Sequence, residues 1–183
     1  TGEQRIERFA IVPEVRQQRP DEGVGLDATR IERRQSLQPP APEWRAQLEK
    51  AAQAVVYVTD SEEKSSGSGA IIDAKGHIVT NWHVVRDQQR VLVVLKPKDS
   101  SELKKELVFV AVVEKIDEVA DLALLRILNP PAALKFLQLG DEQAIAVGQD
   151  VHAIGHPQGQ TWTYTKGVIS QLRDNYEWSP GDG

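Results

Sequence analysis

Two side chains with acid–base chemistry lie in short apolar motifs. His83 belongs to Thr80-Asn81-Trp82-His83-Val84-Val85, and Asp121 begins Asp121-Leu122-Ala123-Leu124-Leu125. A histidine can take the proton from a serine hydroxyl, while a buried aspartate holds the imidazole in the needed tautomer and stabilises its charged form. The two motifs therefore indicate a general base, His83, and an orienting carboxylate, Asp121.

Asp117 competes with Asp121 for the role of the orienting carboxylate. Only Asp121 is followed by Leu-Ala-Leu, which reads as the start of an apolar strand. A carboxylate at that place is costly to bury unless it accepts hydrogen bonds, as it would from the histidine Nδ1. An acidic strand cap is the alternative interpretation of Asp121.

The sequence has no serine in an evident nucleophile setting. Ser179 starts Ser179-Pro180-Gly181-Asp182-Gly183, where Pro180 cannot donate the backbone N–H that is needed beside an oxyanion. Ser170 falls in a predicted strand, and Ser68 precedes the hairpin that leads to His83. We favour none of the three as the nucleophile.

The remaining histidines raise the question of a metal site. His77, His152 and His156, together with His83, could bind a transition metal through neutral imidazoles. Their spacing does not resemble a closed ligand set, so ordinary surface or core histidines are the simpler interpretation. We predict neither a metal nor an organic cofactor.

The composition excludes several classes of partner and site. The net charge of −5 is spread without acidic or basic blocks, so nothing suggests binding to nucleic acid or to an anionic membrane. No apolar run approaches the roughly 18 residues that a membrane-spanning helix needs. Zero cysteines exclude disulfides and zinc sites built on sulfur, so stability must come from packing.

The elements that must position these side chains are mostly short strands. A proline-led amphipathic helix is predicted from Pro42 to about Ala54. In a predicted hairpin, Gly69–Asp73 and His77–Asn81 flank a turn at residues 74–76, and the second strand leads to His83. Many short strands separated by Gly and Pro turns predict an all-β sandwich or barrel. The other predicted strands are Val55–Val58, Val91–Leu95, Leu107–Val113, Leu122–Leu128, Val151–Gly155 and Thr163–Leu172.

Residues 1–42 differ in composition from the rest of the chain. They carry Gln17-Gln18-Arg19-Pro20-Asp21-Glu22-Gly23 and Gln38-Pro39-Pro40-Ala41-Pro42, and they lack sustained apolar periodicity. We interpret this segment as an extended N-terminal arm or linker. The domain itself is then expected to occupy residues 43–183.

The order of the motifs resembles that of the trypsin-like serine proteases of the bacterial HtrA (Deg) group, over about residues 51–174. Six short stretches match in the right order, which makes the signal strong. His156 departs from the asparagine that is common at its position in the group, which puts only a local loop contact in doubt. The matching stretches are Gly67–Val85, Val119–Leu125, Leu137–Asp141, Val147–Val151, Ala153–Pro157 and Thr165–Ser170.

This resemblance implies a fold of two perpendicular six-stranded β-barrels, with the active site in the cleft between them. The first barrel would be complete at about residues 51–135. The second would only begin at about residues 136–183, and a short N-terminal helix would precede both. The group's layout also places the nucleophile serine roughly 10 to 20 residues past Gly183. We therefore expect a downstream segment or a second chain to supply it.

The function that the resemblance implies is that of a serine endopeptidase with His83 as general base and Asp121 as its orienter. It further implies polypeptide substrates from unfolded or damaged proteins, a periplasmic or cell-envelope location, and a homotrimer or larger assembly without a cofactor. The alternative is a non-catalytic protease-like scaffold that binds peptide or protein in the same cleft.

Overall fold

The computed structural model describes residues 42–62, 64–98, 104–157 and 160–173. This part of the chain is mostly strand, and the predicted all-β class is confirmed. No helix within these segments is both long and apolar enough to cross a membrane. Short 3-10 turns lie at Trp82–Val84, Lys105–Leu107 and Glu142–Ala144. The elements in chain order are α1 (Pro42–Ala52), β1 (Val55–Thr59), β2 (Ser66–Ile71), β3 (His77–Thr80), β4 (Arg90–Val94), β5 (Val108–Asp117), β6 (Leu122–Ile127), β7 (Asp150–Gly155) and β8 (Thr163–Val168).

The first six strands close into a barrel in the order β1-β2-β3-β6-β5-β4, with antiparallel pairing throughout. Closure removes the open sheet edges that would otherwise invite pairing with another chain. Because side chains alternate across each strand, one apolar set fills the interior. Burying each large aliphatic side chain of this set contributes roughly 1.5–3 kcal/mol. The set is Val56, Val58, Ile71, Ile78, Val84, Val85, Val91, Val93, Ala111, Ala123, Leu125, Ile127 and Leu134.

The β2–β3 hairpin has the turn that the sequence predicts. Gly76 adopts a φ of 86°, which is strained for residues with a Cβ. The Asp73 carboxylate fixes the turn, since its Oδ1 accepts the backbone N–H groups of Lys75 at 2.9 Å and of His77 at 3.0 Å. Gly69 allows the two strands to pack closely, because a Cβ there would lie 2.7 Å from Ile78 Cγ2. The hairpin thus delivers the chain to the histidine motif in a fixed register.

Strand β5 is longer than the apolar pattern predicts, ending at Asp117 instead of Val113. Its last residues are mainly charged and exposed, yet their backbone still pairs with β6, from Lys115↔Leu124 to Asp117↔Leu122. The register shifts between Val113 and Lys115, just where the apolar run on which the prediction depended ends. This extension carries β5 to the turn that contains Asp121.

The hairpin of β7 and β8 forms a separate two-stranded sheet. A second apolar cluster joins it to the helix and to β1. The Trp162 indole N–H donates to the Val55 carbonyl at 2.9 Å, and the Leu137 N–H donates to the Ile71 carbonyl at 2.8 Å. The helix, which ends at Ala52, therefore lies at the junction between barrel and hairpin. The cluster comprises Ala51, Ala52, Val55 and Ile154, with Leu48, Leu137 and Trp162 packed against it.

Candidate active site

His83 lies in a tight turn that is anchored on both sides. Strand β3 ends at Thr80, and Trp82–Val84 then forms a 3-10 turn whose Val84 is buried. Val85 is buried as well, and both valines belong to the barrel core. A Cβ on Gly67 would lie 2.6 Å from Val84 Cγ2, so the adjacent strand leaves room for this valine only because residue 67 is glycine. The core thus holds the backbone on the carboxyl side of His83.

The loop before β2 supports the same turn. Ser65 Oγ donates a hydrogen bond to the Val84 carbonyl at 2.9 Å. The buried Asp60 carboxylate in turn organises this loop: its oxygens accept the backbone N–H groups of Glu62 at 2.9 Å and of Lys64 and Ser65 at 3.0 Å each. Neither Asp60 nor Ser65 was predicted from the sequence to support the site. An aspartate followed closely by serine is a local signal of side-chain capping in a loop.

Asp121 reaches His83 through the pairing of β3 with β6. The last ladder pair is Thr80↔Ala123, so the residues just after β3 meet those just before β6. Asp121 is buried and has a φ of 50°, a left-handed backbone conformation that is uncommon for residues other than glycine. Its backbone carbonyl accepts the Trp82 N–H at 3.2 Å. Strand pairing thus places the two predicted site residues side by side.

The Asp121 carboxylate binds His83 at two points. Its Oδ2 lies 2.7 Å from the histidine Nδ1, and its Oδ1 accepts the His83 backbone N–H at 2.9 Å. The aspartate side chain is 4% exposed, whereas the histidine side chain is 41% exposed. An ionised carboxylate at this distance favours the tautomer with the proton on Nδ1, in which Nε2 is the basic atom. The arrangement can therefore orient an imidazole and stabilise its protonated form.

A third donor to the carboxylate comes from Asn81. Its side-chain amide donates to Asp121 Oδ2 at 3.0 Å and to the Asp121 carbonyl at 3.1 Å. The sequence analysis assigned no role to this residue. The sequence signal that could have indicated its role was the position of this amide side chain between β3 and His83.

Asp117, the competing carboxylate, has a different role. It lies at the exposed end of β5, and its Oδ1 accepts the Ala120 backbone N–H at 3.0 Å. This bond caps the turn between β5 and β6. Of the two aspartates, Asp121 is the one that contacts His83.

Ser68 and His156 form a serine–histidine contact within the described part of the chain. The Ser68 Oγ accepts the His156 backbone N–H at 2.8 Å and lies 3.3 Å from the histidine Nδ1. The His156 ring is buried between Tyr57 and Trp162, with ring centroids 5.3 Å and 4.9 Å away. Its burial lowers the pKa of His156 from 6.5 to about 4. This contact joins the barrel to β7, and the low basicity of a buried ring does not favour a general base.

The other histidines do not gather around a common point. His77 Nδ1 lies 2.6 Å from an Asp73 oxygen, and His152 Nδ1 lies 2.7 Å from the Tyr164 hydroxyl. Among the described residues, no group of three or more His, Cys, Asp or Glu side chains could hold a metal ion. Ser170 is exposed just after β8, and Ser179 lies outside the described residues.

Trp82 borders the histidine turn. Its ring is partly buried, and the guanidinium of Arg86 lies 4.9 Å from the ring centroid. Such a cation–π contact contributes about 0.5–1 kcal/mol at an exposed site. The contact restrains the side chain next to His83.

Comparison with known proteins identifies the family of this chain. The trypsin-like peptidase domain family matches residues 67–182, which is more than half of the chain. "Protease Do-like 1, chloroplastic" of Arabidopsis thaliana is 41% identical over 60% of this chain and 23% of that protein. A "Probable periplasmic serine endoprotease DegP-like" of Pseudomonas fluorescens is 42% identical over 61% of this chain and 21% of its own length. "Serine protease HTRA2, mitochondrial" of Bos taurus is 39% identical over 69% of this chain and 28% of its own.

The chain spans only about a quarter of the length of these relatives. Their names confirm the resemblance to the HtrA (Deg) group that the motif order indicated. The closed barrel agrees with the first barrel expected of such proteins. The chain therefore belongs to the trypsin-like peptidase domain family and is similar within it to proteases of the HtrA (Deg) group.

Proposed function

We propose that the protein is a serine endopeptidase that hydrolyses peptide bonds in unfolded or damaged proteins. His83 is the general base, and Asp121 is the carboxylate that orients it. The observation that carries the proposal is the 2.7 Å contact between His83 Nδ1 and the buried Asp121 Oδ2. The second bond, from the His83 backbone N–H to Oδ1, supports it because it ties the carboxylate to the same residue whose ring it orients.

In the proposed reaction, His83 Nε2 takes the proton of a serine hydroxyl as the serine oxygen attacks the peptide carbonyl carbon. Asp121 stays ionised and stabilises the imidazolium that forms. Backbone N–H groups near the serine stabilise the oxyanion of the tetrahedral intermediate. His83 then gives the proton to the leaving amine as the peptide C–N bond breaks. A water molecule, deprotonated by His83, next attacks the carbonyl carbon of the acyl-enzyme, and the serine oxygen leaves with the proton that His83 returns to it.

The nucleophile in this proposal belongs to a segment beyond residue 183 or to a second chain. The layout of the HtrA group supports this assignment. The position of Ser68 supports it too. The Ser68 hydroxyl contacts His156 at the junction between the barrel and β7, so it is not placed to act as the nucleophile beside His83. The general base proposed here, His83, lies in a different turn.

A periplasmic or cell-envelope location and an assembly of three or more copies complete the proposal. Several relatives are named as periplasmic, whereas others are named as chloroplastic or mitochondrial. The names thus agree on proteases and differ in compartment. Fractionation of cells that produce the protein, together with its native mass, tests both parts.

The activity is tested on the protein as it occurs in its source, by intact mass and by labelling with a fluorophosphonate probe, which reacts with activated serines. We expect labelling of the protein that carries this sequence, and cleavage of unfolded casein. His83→Ala should abolish both, and Asp121→Asn should lower kcat by about 10⁴-fold, because the amide leaves the imidazole in the wrong tautomer. His77→Ala is the matched control and should keep full activity, since His77 contacts Asp73 on the β2–β3 turn.

Two outcomes would overturn the proposal. Unchanged labelling in His83→Ala would show that another residue is the base. Absent labelling of the wild-type protein, with retained binding of unfolded casein, would identify the non-catalytic scaffold instead.

A further inference from the structure

Asn81 links the end of β3 to the turn before β6. It stands in extended conformation between Thr80 and the histidine turn, with a φ of −78° and a ψ of 144°. Its amide nitrogen lies 3.0 Å from Asp121 Oδ2 and 3.1 Å from the Asp121 carbonyl oxygen. A side-chain amide carries two N–H hydrogens, so one group can serve both oxygens. The opposite orientation of the amide would place its oxygen against a carboxylate and is disfavoured.

The backbone of Asp121 needs such support. A residue other than glycine with a φ of 50° is strained, and such conformations persist where the surroundings over-determine them. The Asp121 carbonyl accepts hydrogen bonds from the Asn81 amide and the Trp82 N–H. Both donors come from the segment directly before His83. The strained backbone therefore belongs to the residue whose carboxylate contacts the histidine.

We propose that Asn81 is a positioning residue for the His83–Asp121 pair, an inference that rests on the function proposed above. Oδ2 receives both the Asn81 amide and the His83 ring, while Oδ1 receives the His83 backbone N–H. These three bonds fix the rotation of the carboxylate about its Cβ–Cγ bond. Without the amide, the carboxylate is free to turn away from Nδ1, and the preference for the Nδ1–H tautomer weakens.

A purely structural role of Asn81 would give a different result. If the residue only joined β3 to the β5–β6 turn, its removal would lower the free energy of unfolding but leave the imidazole tautomer unchanged. Thr80 offers a matched control, because its Oγ1 donates a partly buried hydrogen bond of 2.8 Å to the Ser68 carbonyl. This bond lies one residue away and does not involve Asp121. Thr80→Val therefore removes a similar bond without touching the pair.

The experiment is ¹⁵N NMR of the histidine side chains of the whole protein that carries this sequence, at pH 8, with His83 assigned by the signal missing from His83→Ala. In the wild type, His83 should carry its ring proton on Nδ1, and this proton should resonate at low field. We expect Asn81→Ala to lower the ratio of the Nδ1–H to the Nε2–H tautomer by at least about tenfold, as for the loss of one hydrogen bond to a charged group. Asn81→Ser should act in the same direction, since its shorter side chain cannot span the 3.0 Å contact. Thr80→Val should match the wild type.

Each outcome decides the role of Asn81. A folded Asn81→Ala with the wild-type tautomer ratio would overturn it and leave the proposed function intact. Failure of both Asn81 variants to fold would also overturn it, since the residue would then serve the fold as a whole. A wild type that lacks the Nδ1–H tautomer would overturn the proposed base and carboxylate together with the role of Asn81.

Discussion

Protonation of His156 should destabilise the junction between the barrel and the β7–β8 hairpin. This residue is 4% exposed and directly follows β7. Its ring lies against Tyr57 of β1 and against Trp162, which precedes β8, while its backbone N–H donates to Ser68 of β2. Elements from both parts of the fold therefore surround the imidazole.

The size of this destabilisation follows from the pKa of His156, which burial lowers from 6.5 to about 4. Its Nε2 is buried and has no hydrogen-bond partner among the described residues, so a proton added there is poorly solvated. Between these two pH values the unfolded chain binds more protons than the folded one, and stability must therefore rise with pH. The neutral His156 therefore contributes roughly 3 kcal/mol to the free energy of unfolding. This contribution is fully present above pH 6.5 and is lost as the pH falls to about 4.

The two aromatic neighbours of His156 oppose this effect. An imidazolium ion next to Tyr57 and Trp162 gains cation–π attraction, which contributes about 0.5–2 kcal/mol depending on how far the site is desolvated. This gain is smaller than the roughly 3 kcal/mol that corresponds to the lowered pKa. Burial therefore decides the sign, and acid should weaken the junction.

The assay is urea unfolding between pH 4.5 and 8, followed by tryptophan fluorescence. Between pH 7.5 and 4.5 the wild type should lose about 2–3 kcal/mol more than His156→Asn, which cannot titrate. His77→Asn is the control. His77 lies beside Asp73 and Glu114 away from the junction, so this variant should keep the acid loss of the wild type.

Equal acid loss in the wild type and in His156→Asn would refute this reasoning. An NMR titration that placed the pKa of His156 near 6.5 would do the same. In either case the protonated His156 would be stabilised at the junction, either by water that enters it or by cation–π attraction to the two aromatic rings.

Two further predictions concern the packing of the barrel, and urea unfolding at pH 7.5 checks both. Leu125→Ala should lower the free energy of unfolding by about 2–5 kcal/mol, because Leu125 is fully buried in the barrel core, whereas the exposed Leu139→Ala should change it by less than about 0.5 kcal/mol. Gly69→Ala should lower the free energy of unfolding by about 1–3 kcal/mol, since its Cβ would lie 2.7 Å from Ile78 Cγ2. Gly140→Ala is its control and should have a smaller effect, because a Cβ there meets nothing within 4 Å. Equal effects within either pair would contradict the packing described here.

Local sequence patterns were sufficient to predict most of the strands. The β2–β3 hairpin was predictable because two short apolar runs flank a turn that needs the positive φ of Gly76. The end of β5 was not predictable, because its charged residues pair through the backbone after a register shift. Periodicity detects which face of a strand is buried, and it carries no signal where both faces are exposed.

The residues of the candidate site, too, were only partly predictable from the sequence. The motif resemblance singled out His83 and Asp121, and the structure brings their side chains into contact. The contact between Ser68 and His156 could not be predicted, because it joins residues 88 positions apart on elements that do not pair. The contribution of Asn81 was also hidden, since it depends on the backbone conformation of a residue 40 positions away.

The geometry of the pair depends on one strand pairing. The described hydrogen bonds to Asp121 from the histidine motif come from Asn81, Trp82 and His83, which directly follow β3, and β6 begins one residue after Asp121. Because β3 and β6 are neighbours in a closed barrel, neither the ring nor the carboxylate needs β7 or β8 to be oriented. The acid-sensitive contact of His156 lies instead at the junction with β7. Acidification should therefore loosen the attachment of the hairpin, and the fold separates the orientation of His83 from the docking of the elements that follow it.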